Sequence, residues 1–207
     1  SARDVERLRQ ADLVLYNGLH LEAKMGDVIE MLGVRKPVLA VTKAIPEEDL
    51  LAPAAFQGAH DPHVWFDVKM WQKTVPVVAE RLAALDPTHA AGYFTRASAY
   101  SARLDTLDAY ARAQFASIPE QQRVVITAHD AFNYLGRAYG LEVRGLQGIS
   151  TAAEAGTRDV QDLAAYIAHH RIPALFVETS VSPRAVNAVR EAVRARLVSE
   201  VPIGALL

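Results

Sequence analysis

Short apolar runs alternate with stretches of helical periodicity along this chain, and that order predicts parallel strands connected by helices. Two runs, residues 11–16 and 37–42, are continuous enough to be buried strands of a parallel sheet. Between them, residues 21–32 place apolar side chains three and four positions apart, as an amphipathic helix does. Residues 46–62 hold three prolines and no clear period, which predicts a loop.

A single long helix is predicted over residues 87–117. Asp86 and Pro87 form a strong start signal, with Asp86 as the N-cap and proline at the first helical position. Pro119 ends the helix. At 1.5 Å per residue it would be roughly 45 Å long, so we expect it to brace two lobes. Its predicted apolar stripe consists of Tyr93, Ala97, Tyr100, Leu104, Leu107, Ala111 and Ile118.

After Pro119 the alternation of strands and helices resumes. The predicted strands are residues 124–127, 142–146, 174–178 and 198–201, and the predicted helices are 131–139, 157–170 and 183–196, the last capped by Ser182. The fold class is therefore α/β, with two Rossmann-like lobes joined by one long rigid helix. The expected domains are an N-terminal lobe at 1–85, a linker helix at 86–118 and a C-terminal lobe at 119–207.

The composition removes several classes of function. With 207 residues, 51% of them hydrophobic, the chain can bury a core. A net charge of −2 without a basic stripe argues against a nucleic-acid partner. No apolar run approaches the ~18 residues of a membrane span, and the first residues do not read as a signal peptide. The chain has no cysteine, so His, Asp and Glu are its strong metal ligands.

Two histidines follow rigid turns about 66 residues apart. His63 comes directly after Asp61 and Pro62, so stiff backbone directs its ring. His129 follows the apolar run 123–126 and should project from the carboxyl end of a strand, where open α/β sheets bind ligands. Taken singly, each histidine is more often a turn or packing residue, and Asp130 could simply cap the next helix. Taken together, packing and a shared site are equally good interpretations.

Five motifs, standing in one order, carry a resemblance that covers essentially the whole chain. They are YNGLHLE at 16–22, DPHVWFD at 61–67, TAHDAF at 127–132, GLQGIST at 145–151 and FVETS at 176–180. The series resembles the zinc- and manganese-binding solute receptors of ABC importers, of the TroA type. Members of that family have two α/β lobes joined by one rigid helix, with a transition metal held in the cleft between the lobes.

The resemblance implies a function and a ligand set. His63 and His129 match the family's second and third metal ligands. The first and last ligands of the family lie before the segment matching Ser1 and after the segment matching Leu207, so we expect both lobes to be truncated here. The implied protein is an extracytoplasmic receptor, periplasmic or a cell-surface lipoprotein, whose signal segment is absent from this chain. It would bind Zn or Mn as cargo, act as a monomer, deliver the metal to an ABC permease and catalyse no reaction.

The remaining polar residues admit two interpretations each. Glu178, at a strand end, is equally an acceptor that orients a ligand or part of a helix cap. His20 is read as structural or cleft-lining and His60 as solvated. His89 should be exposed in the first turn of the long helix, while His169 and His170 should face a helix C-terminus.

Three other functions compete with that of a receptor. A zinc hydrolase would use His63 and His129 for the metal and Asp67 or Asp130 as general base, but catalytic zinc needs three protein ligands, usually two of them close together in one motif. A dinucleotide-binding module fails because no Gly-x-Gly-x-x-Gly turn follows a strand. A metal-binding adhesion or chaperone protein stays open, because the same fold would permit it. Nitrogen and oxygen ligands admit zinc, manganese and iron alike.

Overall fold

Short parallel strands joined by helices build both halves of the chain in the computed structural model. The structure describes residues 1–53, 58–147, 156–172, 174–178, 183–197 and 203–206. The chain divides into two compact units, Ser1–Ala109 and Tyr110–Leu207. The α/β class predicted from the alternation is confirmed, whereas the division into lobes 1–85 and 119–207 with a linker at 86–118 stays a prediction.

The first unit contains two strands in parallel register. Strand β1 (Val14–Tyr16) pairs with β2 (Val38–Ala40), and α2 (Met25–Gly33) connects them. Helix α1 (Ala2–Gln10) precedes β1, while α3 (Val68–Gln72) and α4 (Thr74–Leu85) follow β2. Ile29 of α2 and Val75 and Ala79 of α4 are buried. The helix and strands predicted here are confirmed with shorter bounds.

Glycine is required at the turn that follows β1. Gly18 has a φ of +89°, and a Cβ at this position would lie 2.8 Å from Thr42 Oγ1. Both the left-handed backbone and the close approach of Thr42 exclude a side chain. The turn places Asn17 next to Thr42, just beyond the carboxyl ends of β1 and β2. There the main chain N–H of Thr42 donates a hydrogen bond to the carbonyl oxygen of Asn17 over 3.2 Å.

The long helix is confirmed as one uninterrupted element. Helix α5 runs from Ala90 to Ala116, preceded by a single 3-10 turn at Pro87–His89. The boundary between the two units lies within it. Its predicted apolar stripe is only partly covered: Leu104 is buried, but Tyr100 and Leu107 keep 41% and 48% of their surface exposed. The periodicity therefore predicted the buried face only in part.

The second unit repeats the parallel arrangement. Strand β3 (Val124–His129) pairs with β4 (Glu142–Gln147), and β5 (Leu175–Glu178) pairs with β6 (Ile203–Leu206). Helices α6 (Asn133–Tyr139), α7 (Thr157–His170) and α8 (Pro183–Leu197) lie between the strands in sequence. The core is made by side chains of β3, α7, β5 and α8, which include Ile126, Ile167, Leu175, Val189 and Val193.

Two predicted features lie outside the described residues: the strand at 198–201 and the cap Ser182. No helix in the described part of the chain is both long and apolar enough to cross a membrane.

Candidate metal centre

His63 lies in a turn that Asp61 closes from two residues away. One oxygen of Asp61, Oδ1, accepts a hydrogen bond from the main chain N–H of His63 over 3.0 Å and lies 2.7 Å from its ring Nδ1. The intervening Pro62 limits the backbone of the turn, and its carbonyl accepts a hydrogen bond from Asn17 Nδ2 over 3.1 Å. The turn is thereby attached to the carboxyl end of β1.

The surroundings of His63 exclude most water. Asp61 is completely buried and His63 is 6% exposed. The ring of Trp65 meets the His63 ring edge-on, with centroids 5.2 Å apart, and Val64 is fully buried. Asp67, which follows, accepts main chain hydrogen bonds from Lys69 and Met70 and so caps α3. A carboxylate committed to capping is poorly placed to act as the general base of a hydrolase.

His129 is the last residue of β3 and is held from another strand. Glu178, the last residue of β5, accepts the main chain N–H of His129 at Oε1 over 3.2 Å. Its second oxygen, Oε2, lies 2.6 Å from His129 Nδ1. His129 and Glu178 are 7% and 8% exposed. The ring is thus fixed within the second unit by a carboxylate 49 residues later in the sequence.

Two further contacts shape the turn after β3. Thr127 Oγ1 donates to the carbonyl of His129 over 2.8 Å, and the main chain N–H of Ala131 donates to the same oxygen over 3.0 Å. Gly145 on β4 lies so close that a Cβ there would be 2.7 Å from the Asp130 nitrogen. The turn that carries His129 is therefore packed backbone against backbone.

The same chemistry recurs at both histidines. Each is buried, and each has Nδ1 against a buried carboxylate. In a neutral imidazole whose Nδ1 carries the proton, Nε2 bears the lone pair that binds a metal. This carboxylate–histidine arrangement is the one that commonly supports metal ligation.

The structure also places the other polar residues that the sequence singled out. Glu178, for which orientation and capping were equally open, contacts His129, whereas the role of Asp61 was not predicted. The sequence did hold a signal for that role, an aspartate two residues before a histidine with a proline between them. His20 and His60 line a cavity of about 670 Å³ in the first unit. His89 is 71% exposed, as predicted.

Among the residues that the structure describes, no group of three or more histidines, aspartates and glutamates is arranged to hold a metal ion. His169 and His170 end α7, as expected from the sequence, and their rings contact each other with centroids 4.8 Å apart. The candidate ligands are therefore His63 in the first unit and His129 in the second, each with its own carboxylate.

Comparison with known proteins gives a consistent answer. A family model described as ZnuA, the periplasmic component A of a zinc-uptake complex, matches residues 1–206. The zinc-binding protein TroA of Treponema pallidum is 50% identical over 196 residues, 95% of this chain and 63% of the relative. The manganese-binding lipoprotein MntA of Bacillus subtilis is 44% identical over 191 residues, 92% of this chain and 62% of the relative.

A more distant relative and a solved structure agree. The metal ABC transporter substrate-binding lipoprotein FimA of Streptococcus parasanguinis is 30% identical over 196 residues, 90% of this chain and 62% of the relative. The structure of the periplasmic zinc-binding TroA superposes with a TM-score of 0.94 at 49% identity, covering 99% of this chain and 73% of that one. The chain thus spans a little under two thirds of these curated relatives, and the predicted resemblance is confirmed.

Proposed function

This chain belongs to the ZnuA family of periplasmic zinc-uptake components, and we propose that it binds a divalent transition metal through His63 and His129. The metal is cargo: the protein acts outside the cytoplasm, as a periplasmic protein or lipoprotein, and delivers the ion to an ABC permease in the membrane. Its relatives include a zinc-binding protein, a manganese-binding lipoprotein and an ABC-transporter substrate-binding lipoprotein, and they support this function.

The observation that carries the proposal is that the two histidines have the same kind of environment, each within its own unit. Both histidines are more than nine-tenths buried, and both have Nδ1 against a carboxylate oxygen at 2.6–2.7 Å. Burying a carboxylate costs free energy unless a partner compensates its charge. A dication bound at Nε2 of the ring would be attracted by that carboxylate through the imidazole. Nothing in ordinary core packing requires the arrangement twice.

The ligand chemistry sets the range of metals. Nitrogen and oxygen ligands together admit zinc, manganese and iron, and the chain has no cysteine, whose thiolate would favour soft ions. For equal geometry, the Irving–Williams order gives zinc higher affinity than manganese. We therefore propose zinc or manganese as the cargo, with zinc bound more tightly in vitro.

A metal titration tests the proposal. The purified chain is titrated with Zn²⁺ and Mn²⁺ in competition with a chromophoric chelator, alongside His63→Ala and His129→Ala. Each substitution should weaken binding by more than the roughly 10- to 100-fold typical of losing a residue that only supports a ligand. His89→Ala is the matched control, because His89 also has Nδ1 against an aspartate, at 2.7 Å, but is 71% exposed.

Crystals grown with each metal give the direct view. Anomalous difference maps at the zinc and manganese edges should place a peak about 2.0–2.1 Å from Nε2 of His63 and of His129. Affinity that stays unchanged in both alanine variants would refute the ligand assignment. Sedimentation of the chain should show a monomer, and reconstitution with the permease in vesicles tests delivery.

A further inference from the structure

We propose that Asn17 and Glu22 are positioning residues for the candidate ligand His63. Glu22 holds the main chain of Asn17, whose side chain holds the peptide group that precedes His63. The inference rests on the proposed metal function, because its consequence is a ligand that is oriented before the metal binds. It gives a role to the motif at 16–22, which contains neither of the two candidate ligands.

The peptide group that joins Pro62 to His63 is hydrogen-bonded at both ends. Its N–H, on His63, donates to Oδ1 of Asp61 over 3.0 Å. Its carbonyl, on Pro62, accepts from Nδ2 of Asn17 over 3.1 Å, across 45 positions of the sequence. Because a peptide group is planar, bonds at its two ends fix its rotation. They also fix the direction in which the side chain of His63 leaves the turn.

The amide of Asn17 suits this role because its nitrogen has two protons to donate. Nδ2 donates to the carbonyl of Gly18 over 3.0 Å as well as to that of Pro62. A rotated amide would place its oxygen against both carbonyl oxygens, so one orientation is favoured. A carboxylate has the same shape and no donor, and it would repel both carbonyls. The position therefore requires an amide.

Glu22 fixes the main chain of Asn17 from within the same loop. Its Oε1 accepts the main chain N–H of Asn17 over 2.7 Å, and its Oε2 accepts that of Gly18 over 3.1 Å. Hydrogen bonds to an ionised carboxylate are stronger than those between neutral groups. On the other side, the carbonyl of Asn17 accepts from Thr42 Oγ1 over 2.6 Å. The side chain of Asn17 therefore extends from a backbone that is held at both its N–H and its carbonyl.

The loop between the two residues is strained. Gly18, Leu19 and His20 have φ values of +89°, +53° and +63°. Left-handed backbone costs free energy at Leu19 and His20, because the Cβ atom approaches the following carbonyl. Such conformations persist only where the surroundings hold them, and they cluster at functional sites. The carboxylate of Glu22 supplies bonds that hold this loop closed.

A double-mutant cycle in the dissociation constant for Zn²⁺ tests the order of these contacts. Asn17→Ala should weaken binding by about 10-fold, the lower end for a residue that supports a metal ligand, because the local bond to Asp61 remains. Asn17→Asp, which keeps the shape and removes both donors, should weaken it at least as much. Glu22→Ala should weaken it by up to the same factor in the wild type. It should have no further effect in Asn17→Ala, because the side chain through which it acts is gone.

Fluorine NMR of the metal-free protein reports the geometry of the turn without any metal. The chain has two tryptophans, so labelling with 5-fluorotryptophan gives one signal for each. The ring of Trp65 meets that of His63, with centroids 5.2 Å apart, whereas Nε1 of Trp71 donates to the hydroxyl of Tyr100 over 3.3 Å. Both alanine variants should shift or broaden the Trp65 signal and leave the Trp71 signal unchanged.

Thr74→Val is the matched control within the same unit. Thr74 is 3% exposed, and its hydroxyl donates to the carbonyl of Trp71 over 2.8 Å. The substitution removes a hydrogen bond to a main chain carbonyl, as Asn17→Ala does, but at a distance from the turn. It should lower the free energy of unfolding in urea and shift the Trp71 signal. The Trp65 signal and the affinity for Zn²⁺ should stay as in the wild type.

The outcomes separate this inference from the proposed function. Wild-type affinity in Asn17→Ala and Asn17→Asp, or additive losses in the double variant, overturns the positioning roles and leaves metal binding intact. An unchanged Trp65 signal in both Asn17 variants overturns them as well. A wild-type chain that binds neither Zn²⁺ nor Mn²⁺ overturns the proposed function instead, whatever the fluorine signals show. Non-additive losses together with a change confined to Trp65 support both.

Discussion

Adding one methyl group at Gly145 should disturb the metal centre without touching a candidate ligand. Gly145 lies on β4, opposite Thr127 of β3 in the parallel register. An alanine Cβ there would lie 2.7 Å from the nitrogen of Asp130, 2.8 Å from its Cα and 2.9 Å from its Cβ. All three atoms belong to the residue directly after His129, and two of them are backbone.

The size of the effect follows from those distances. Ordinary van der Waals contacts of a Cβ begin at 3.4 Å, against the 2.7 Å found here, so the turn must move by about 0.7 Å to restore them, and no side-chain rotation can relieve backbone contacts. Overpacking of this kind typically costs about 1–3 kcal/mol. The displaced turn also carries the 2.6 Å contact between His129 and Glu178, and functional groups need to be held within about 0.5 Å of their working position. Metal affinity should therefore fall together with stability.

Gly136→Ala is the matched control. A Cβ at Gly136 would lie 2.7 Å from the carbonyl oxygen of Leu141 and 2.9 Å from Val143 Cγ2, an equally severe clash within the same unit. It lies in α6, and none of the atoms it would meet belongs to the turn at His129. Both variants should lower the free energy of unfolding in urea, and only Gly145→Ala should raise the dissociation constant for Zn²⁺. Equal loss of affinity in the two variants, or wild-type affinity in Gly145→Ala, would refute this reasoning.

Three further changes have expected outcomes. Ile126→Ala removes a side chain with no exposed surface and should cost about 2–5 kcal/mol of stability in urea denaturation. Asp67→Ala removes the cap of α3 and should cost about 1 kcal/mol, with the affinity for Zn²⁺ retained. The hydrogen bond from Tyr166 lowers the pKa of Glu142, so Glu142 stabilises the fold above its ordinary pKa and loses that contribution as the pH falls through the lowered value. Glu142→Gln should flatten the acid limb of a stability–pH curve slightly, because Glu142 is half exposed.

The fold could be predicted where the pattern along the sequence was local. Helix α7 begins and ends at the predicted residues 157 and 170, because its apolar positions repeat with one period over its whole length. Residues 68–85 gave no prediction, although they form α3 and α4. Pro76 interrupts the expected pattern, yet as the third residue of α4 it lacks only an N–H that has no partner within the helix.

Burial could be predicted less well than helicity. The stripe on α5 has the correct period, but Leu107 remains 48% exposed while Asp108 is buried. A period states which residues share a face. How much of that face is covered depends on the side chains that pack against it, and these come from distant parts of the sequence.

The positions of the two candidate ligands have local signatures in the sequence: His63 follows a proline turn, and His129 ends an apolar strand. Asp61 lies two residues before His63, so its contact was within reach of sequence reasoning. The contact of Glu178 with His129 was not, because it joins the ends of two strands 49 residues apart. Such a contact exists only once β3 and β5 lie side by side.

Because one contact is local and the other long-range, the orientations of His63 and His129 depend on the rest of the fold to different degrees. The Asp61 turn closes on itself through contacts between residues two apart, so it can persist while neighbouring strands loosen. His129 keeps its orientation only while the ends of β3 and β5 stay aligned, and that alignment depends on the core containing Ile126 and Leu175. A destabilised core, as in Ile126→Ala, should thus release the main chain N–H of His129 to hydrogen exchange at a lower opening free energy than that of His63. Equal acceleration at both N–H groups would show that the local turn has no independence from the strands.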